Sequence, residues 1–324
     1  MKPKVIVTRR WPAAVEAKLA QNYDVEFNQT DTAFSIAEMQ SALCSADALL
    51  TTVTDNVGAN VFELANNSDI RTKVIANYGV GYSHIDINAA SKHGIAVTNT
   101  PDVLSECTAD IAITLMLMVA RRAGEGEREL RSGQWSGWRP THLIGSKVSG
   151  ATLGIVGFGR IGRETAKRAI GFGMEILVFN RSPVDPSVLA QYNAVQVETL
   201  EDVFFNSDFV SLHCPGGVEN THLVNQQLIN SMKPGAYLIN TARGEVIDEQ
   251  ALLDALEQNT IAGAGLDVYS NEPSINSRYL SLQNAVLLPH LGSATAATRE
   301  AMGFRAIQNL DQFFSGQKPG DQVV

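Results

Sequence analysis

Three charged residues follow apolar runs of the strand type: Arg243 after residues 237–240, Glu272 after the run that ends at Asp267, and His290 after residues 286–288. A guanidinium holds a carboxylate in a two-bonded fork. A histidine beside a carboxylate is a proton donor suited to neutral pH. Taken singly, the arginine also fits a surface ion pair, the glutamate a helix cap and the histidine a hydrogen-bonded turn. Together they predict a catalytic set, because the carboxyl ends of strands in an open α/β sheet converge on one crevice.

A second constellation supplies the partner chemistry. The run Ala151-Thr152-Leu153-Gly154-Ile155-Val156 leads into Gly157-Phe158-Gly159-Arg160-Ile161-Gly162, and a helical pattern follows over 164–169. Strand, glycine turn and helix are the context that a dinucleotide fingerprint requires. Gly157 makes the tight turn, Gly159 lets the backbone approach a pyrophosphate, and Gly162 lets the helix pack on the sheet. The phosphates are expected on the free N–H groups of the helix that begins near Arg160. A second strand over 176–179 completes a βαβ unit and ends in Asn180-Arg181-Ser182. An NAD site usually carries Asp or Glu there. With no acid at that position, the guanidinium and hydroxyl predict NADP(H), with NAD(H) possible; an ordinary basic turn before Pro183 is the alternative.

These residues need a frame. Apolar clusters at 5–8, 48–50, 74–76 and 95–97 alternate with helical patterns at 13–20, 36–43 and 61–64. Such alternation predicts a parallel sheet, so the first hundred residues form an α/β unit of their own. It lacks a phosphate fingerprint and is expected to be the substrate domain. Within it, Asn77-Tyr78-Gly79-Val80-Gly81-Tyr82 follows a strand and reads equally as an anion-binding loop or as a plain turn; His84 and His93 lack a paired acid and read as surface or packing residues. The break at Asn99-Thr100-Pro101-Asp102 predicts a crossover. A long helix over 104–122 presents Ile111, Leu115 and Met118 to a core, and Thr108 near its start either reaches a cofactor or only stabilises the helix. The polar, irregular arm over 124–145 carries Trp135 and Trp138, which calls for a covering partner subunit. Further strands at 209–213, 237–240, 262–267 and 286–288, with helices at 225–231 and 248–258, extend the fingerprint unit into one doubly wound sheet. A last helix over 294–314 returns to the first domain.

The chain has 324 residues, 44% of them hydrophobic, which suffices for two domains. A net charge of −9 without a basic run excludes a nucleic-acid or anionic-membrane partner. The longest apolar stretch, 111–120, is too short to span a bilayer. The lead into the first strand lacks a signal-peptide core. Cys44, Cys107 and Cys214 have neither paired nor metal-ligand spacing, so no metal is expected and a reducing cytoplasm is.

The segments His213-Cys214-Pro215, Asn240-Thr241-Ala242-Arg243-Gly244, Gly265-Leu266-Asp267-Val268-Tyr269-Ser270-Asn271-Glu272-Pro273 and Pro289-His290-Leu291-Gly292-Ser293-Ala294-Thr295 resemble the D-isomer-specific 2-hydroxyacid dehydrogenase family. With the fingerprint and residues 77–81, the resemblance covers nearly the whole chain. The Asn-Arg-Ser turn, the tryptophan-bearing arm and the Gly-Ser-Ala-Thr ending are most similar to its glyoxylate/hydroxypyruvate reductase branch.

The resemblance implies a Rossmann-type doubly wound domain over 100–290 and a flavodoxin-like α/β substrate domain over 1–99, completed by 291–324. It implies that Arg243 binds the carboxylate and keto oxygen of a small 2-keto acid, that His290 protonates the carbonyl, and that Glu272 orients and charges the imidazole. Backbone N–H groups of Val80 and Gly81 hold the carboxylate. On the cofactor side fall Thr108, Gly157, Phe158, Gly159, Arg160, Ile161, Gly162, Asn180, Arg181, Ser182, His213, Pro215, Thr221, Thr241, Ala242, Asp267 and Gly292, with Arg243 and His290 also within reach. His213 is expected as a neighbour of the cofactor rather than a second acid. Reductases of this type form dimers in which the arm can bring a tryptophan, here Trp138, to the neighbouring substrate. Two other outcomes stay open: an NADH-dependent enzyme for another 2-keto acid, such as a D-lactate, hydroxyphenylpyruvate or 2-ketogluconate type, and a cofactor-sensing binding protein resembling the C-terminal-binding corepressors.

Overall fold

The computed structural model describes residues 1–64 and 70–324. They divide into two units, Met1–Leu104 with Ala294–Val324, and Ser105–Ser293.

In the first unit β1 (Lys4–Val7), α1 (Ala13–Asn22), β2 (Asp24–Phe27), α2 (Ile36–Ser45), β3 (Ala48–Thr52), α3 (Ala59–Leu64), β4 (Val74–Tyr78), α4 (Ile87–Lys92) and β5 (Ala96–Thr98) alternate along the chain. The strands pair in parallel in the order β2-β1-β3-β4-β5, which is the flavodoxin-like order. β3 and β4 are buried almost throughout, and each opens on an apolar run, 48–50 and 74–76. β4 runs two residues beyond the expected 74–76, because Asn77 and Tyr78 stay in register with Thr51 and Thr52. α2 opens on a capping box: Glu38 N–H donates to Ser35 Oγ (3.3 Å) and Ser35 N–H to Glu38 Oε2 (2.7 Å). The core gathers Ile6, Leu43, Leu49, Phe62, Ile75 and Val97, and His93 stacks on Phe62 with ring centroids 5.8 Å apart.

The end of the chain belongs to this unit. α12 (Ala296–Phe314; α5 to α11 lie in the second unit) packs on β4 and α1. A Cβ on Gly303 would come within 2.6 Å of Val15 Cγ1, so glycine permits that close approach. Tyr23 Oη donates to Asp311 Oδ1 (2.5 Å), and Tyr78 Oη to the Arg299 carbonyl. The last residues lie along β5, with Val97 N–H donating to the Val324 carbonyl (3.1 Å) and Val323 N–H to that of Val97 (2.7 Å).

The second unit opens with α5 (Ser105–Ala120) and α6 (Ala123–Arg131). Then come β6 (Thr152–Val156), α7 (Arg160–Ile170), β7 (Glu175–Phe179), α8 (Pro186–Gln191), β8 (Ala194–Gln196), α9 (Leu200–Asn206), β9 (Phe209–Leu212), α10 (Gln226–Ser231), β10 (Tyr237–Asn240), α11 (Glu249–Glu257), β11 (Gly263–Leu266) and β12 (Ala285–Leu287). All strands are parallel, in the order β12-β11-β10-β9-β6-β7-β8. Chain direction across the sheet reverses between β6 and β9, the point where such sheets bind ligands. Side chains alternate between faces: Tyr237 and Ile239 pack with α5 and α7 residues, Leu238 with α10 and α11 residues.

The arm and α5 also depart from the sequence reading. The arm is not irregular throughout, since its first part is α6. Gly124 and Gly126 hide that helix by their low propensity; Arg122–Glu125 and Glu127–Arg131 pairs line it, and His142 Nε2 lies 2.8 Å from Glu129 Oε2. On α5 the buried face runs through Ala109, Ala112, Ile113, Leu115, Met116 and Val119; Ile111 and Met118 are only partly covered. None of the described helices is long and apolar enough to cross a membrane.

Candidate active site

His290 follows β12 in the left-handed region (φ 56°), a conformation that a non-glycine residue holds only when its surroundings fix it. Asp267, at the end of β11, does the fixing. Its carbonyl accepts the His290 N–H (2.9 Å), and its carboxylate accepts N–H bonds from Leu291 (2.6 Å) and Gly292 (2.8 Å). Burial pushes the Asp267 carboxyl above its ordinary value even though those two N–H bonds pull it down. Thr108 Oγ1 donates to the Gly292 carbonyl (3.2 Å), which ties the same turn to α5.

The imidazole meets the Glu272 carboxylate. His290 Nδ1 lies 2.7 Å from Glu272 Oε2, and the other carboxylate oxygen accepts the Tyr269 N–H (2.9 Å). Burial raises the Glu272 carboxyl, but the His290 hydrogen bond and charge, the Tyr269 N–H and the Arg243 charge outweigh it and hold the group below its ordinary 4.5. Glu272 is therefore ionised at neutral pH, so Nδ1 must be the donor and Nε2 is the ring nitrogen that faces away from the pair.

Arg243, after β10, donates from Nη1 to the Ala242 carbonyl (2.7 Å). Burial lowers this guanidinium, while the Glu245 and Glu272 carboxylates pull it back up. A partly buried cation of this kind favours an anionic ligand. Gly244 explains how Arg243 comes near Glu272: a Cβ there would stand 1.9 Å from the Tyr269 carbonyl carbon, so two loops touch backbone to backbone. Gly244→Ala should force them apart and cost about 3 kcal/mol or more. At about 2–4 °C per kcal/mol for a unit of this size, thermal melting should show Tm lower by about 6 °C or more.

The fingerprint turn has the geometry its glycines promise. Gly157 (φ 92°) lies against the His213 and Cys214 backbone, and a Cβ on Gly162 would come within 2.3 Å of the Gly157 carbonyl oxygen. Gly159 differs: a Cβ there would meet nothing within 4 Å. No protein packing requires that glycine, so the space it leaves suits a ligand's close approach. α7 begins at Arg160 with no side-chain cap from Gly159, and a helix N-terminus is the end that favours an anion. Phe158 turns its ring inward against Tyr192 (5.5 Å between centroids), while its N–H donates to Asn180 Oδ1 (3.2 Å). Asn180 Nδ2 donates to the Ser182 carbonyl (3.0 Å), so Asn180 braces the turn beside Arg181.

Along the same strand ends, Thr241 Oγ1 and His213 Nδ1 are buried without a hydrogen-bond partner, as polar atoms awaiting a ligand would be. Burial pushes His213 down to about 3, so its imidazole is neutral; Nε2 lies 2.9 Å from Ser211 Oγ. Pro215 and Thr221 bound a short loop in which Asn220 Nδ2 donates to the Pro215 carbonyl (2.8 Å) and Thr221 Oγ1 to that of Gly217 (3.3 Å). These features fit a nicotinamide dinucleotide. Among the described residues no cluster of three or more His, Cys, Asp or Glu could hold a metal.

In the first unit the loop after β4 is arranged from within. Asn77 Nδ2 donates to the Gly79 (3.1 Å) and Gly81 (3.0 Å) carbonyls, and Asn99 Nδ2 to that of Val80 (2.9 Å). With the carbonyls held by side chains, the Val80 and Gly81 N–H groups bond to no described residue, the arrangement of an anion nest. Asn99 is a contributor that sequence reasoning read only as part of a crossover; no local pattern links it to Val80. On the arm, Trp138 is 81% exposed.

A family model described as D-isomer specific 2-hydroxyacid dehydrogenase, NAD binding domain, matches residues 113–292. A glyoxylate reductase of Thermococcus litoralis is 43% identical over 327 residues, spanning 100% of this chain and 97% of that protein. Among solved structures, a Polaromonas protein carrying the same family name superposes with a TM-score of 0.91 at 39% identity, covering 100% of both chains. An NADPH-dependent glyoxylate/hydroxypyruvate reductase of Sinorhizobium meliloti, solved with NADP and malonate, gives 0.89 at 32% identity, covering 100% of this chain and 97% of that one. With its parallel sheets, fingerprint turn and His-Glu pair, the chain belongs to the D-isomer-specific 2-hydroxyacid dehydrogenase family.

Proposed function

We propose that this protein is an NADPH-preferring reductase of small 2-keto acids, glyoxylate and hydroxypyruvate, to D-2-hydroxy acids. The observation that carries the reading is the His290–Glu272 pair beside the partly buried Arg243. A bound nicotinamide supplies the hydride for the keto carbon. Arg243 grips the carboxylate and polarises the keto oxygen. His290 delivers a proton from Nε2 to that oxygen as the alcohol forms, and Glu272 keeps the ring in the productive tautomer and stabilises its positive charge. Val80 and Gly81, on the first unit, offer backbone N–H groups suited to a carboxylate. The names of the Thermococcus and Sinorhizobium relatives support the substrate class. The direct test is oxidation of NADPH and NADH by glyoxylate, hydroxypyruvate and phenylpyruvate: equal efficiency with the two cofactors, or preference for the aromatic acid, overturns the reading.

The cofactor preference rests on Arg181, whose guanidinium can meet a 2′-phosphate. Each such charge-assisted bond contributes about 1.5–3 kcal/mol, less where water screens it. Arg181→Ala should therefore raise the KM for NADPH about tenfold and leave kcat nearly constant, since the contact is remote from the reacting carbon. NADH has no phosphate to lose and should respond far less. A similar loss with both cofactors in steady-state assays removes Arg181 from the phosphate site.

We further propose a homodimer built on the arm, with Trp138 reaching the partner's substrate. A bulky indole left in water on an isolated chain supports this. Sedimentation at micromolar concentration should give twice the 34.9 kDa chain mass. In Trp138→Ala, the hydroxypyruvate-to-glyoxylate kcat/KM ratio should change severalfold. A monomer sinks the dimer, whereas an unchanged ratio sinks only the cross-subunit contact.

A further inference from the structure

Arg181 is already engaged. Its Nη1 donates to Glu219 Oε2 (2.9 Å), and its Nη2 to the Glu219 carbonyl (3.1 Å) and to Asn220 Oδ1. Thus the acid that is missing from the end of β7 is supplied from 38 residues further along the chain. The short 3-10 turn Val218–Asn220 carries it. Its backbone is held by Asn220 N–H to the Gly217 carbonyl (2.9 Å) and by the Asn220 side chain to Pro215. The Glu219 carboxylate is different, with its side chain 84% exposed against 54% for Arg181. Two of the three bonds, to a carbonyl and to a buried amide, would go on aiming the guanidinium if the carboxylate let go.

We propose that Glu219 sets cofactor discrimination by competing with the 2′-phosphate for Arg181. The proposal rests on the reading that Arg181 meets that phosphate. A phosphate monoester carries a charge of about −1.5 to −2 at neutral pH. It must either displace the Glu219 carboxylate from the guanidinium or lie beside it, and both weaken its binding. A 2′-hydroxyl meets no such opposition, and it can donate a hydrogen bond to a carboxylate. Glu219 therefore narrows the preference that Arg181 creates and keeps the plain ribose acceptable. Sequence reading from the end of β7 could not find this acid, because it comes from another loop.

Calorimetric titration with adenosine 2′,5′-bisphosphate and with AMP at one fixed, low ionic strength tests the idea without turnover. The measured quantity is the ratio of the two affinities. Exposed ion pairs contribute little, so Glu219→Gln should raise that ratio about two- to fivefold, and Arg181→Ala should collapse it. Raised salt should shrink the Glu219→Gln effect. If Arg181→Ala collapses the ratio and Glu219→Gln leaves it constant or lowers it, Glu219 orients Arg181 rather than competing for it, and this proposal alone is overturned. If Arg181→Ala leaves the ratio unmoved, the phosphate reading fails and the competition fails with it. Melting curves that coincide for wild type and Glu219→Gln establish that an altered ratio is not a folding effect.

Discussion

Replacing His290 with glutamine should lower kcat for keto-acid reduction by about two to four orders of magnitude, the usual contribution of a positioned acid. Glutamine can still donate a hydrogen bond toward Glu272 but cannot release a proton to the carbonyl oxygen. The dissociation constant for the cofactor should shift little, so quenched-flow and equilibrium binding experiments separate the two effects. A second signature distinguishes the loss of a charged partner from a structural fault. In the wild type Glu272 lies below its ordinary 4.5, owing in part to the hydrogen bond and charge of His290. A carboxyl depressed in the folded state contributes stability that is present above its unfolded value and lost as pH falls through its folded value. Without His290, burial pushes the Glu272 carboxyl up and that contribution shrinks. The Tm difference between wild type and variant should therefore be fully developed well above pH 4.5 and close as pH falls through and below that value. A kcat within tenfold of wild type refutes the proton-donor role; a Tm gap that ignores pH refutes the pairing.

For Arg243→Gln, kcat/KM should fall by about 10²–10⁴. Two charge-assisted bonds to a carboxylate and a keto oxygen, at about 1.5–3 kcal/mol each, account for that range. The neutral variant also leaves Glu245 and Glu272 without the cation that acts on both, so Arg243→Lys is the necessary companion. Lysine keeps the charge and loses the planar fork. If the fork matters, Arg243→Lys should recover only part of the loss, chiefly in KM for the keto acid. Recovery to within threefold of wild type would mean that Arg243 acts only as a positive charge. Glyoxylate and hydroxypyruvate should suffer alike, because both present the same carboxylate and keto oxygen.

Much of this arrangement was legible in the sequence where chemistry and local structure coincide. The fingerprint turn, its flanking strand and helix, and the three charged residues at strand ends are all contiguous signals. β2 and β8 escaped because both are edge strands: Asp24–Phe27 alternates exposed and half-buried positions, and Ala194–Gln196 buries none. Neither makes an apolar run. What could not be read was pairing across loops. Glu219 reaches Arg181, Asn99 reaches Val80, and Asp267 clamps the turn after His290, each over a distance along the chain that periodicity does not encode. Asp267 illustrates the limit best. The resemblance marks it for the cofactor side, while its two carboxylate oxygens bond the Leu291 and Gly292 N–H groups and so fix the backbone beside His290.

The first unit is built from both ends of the described chain, and that has a bearing on how the protein emerges from the ribosome. The sheet of Met1–Leu104 appears first, yet α12, which covers β4 and meets Val15 through Gly303, and the residues that line β5 are translated after the whole of Ser105–Ser293. At roughly 5–20 residues per second the wait is about 10–40 s. The second unit has its own uninterrupted stretch of chain and can close during that interval. The first must keep an unroofed apolar surface and an unpaired strand edge in the meantime, the features that invite association between nascent chains. A late-arriving helix thus makes the earlier-made of the two units the later to become safe from aggregation, and gives chaperones a defined interval in which to hold it.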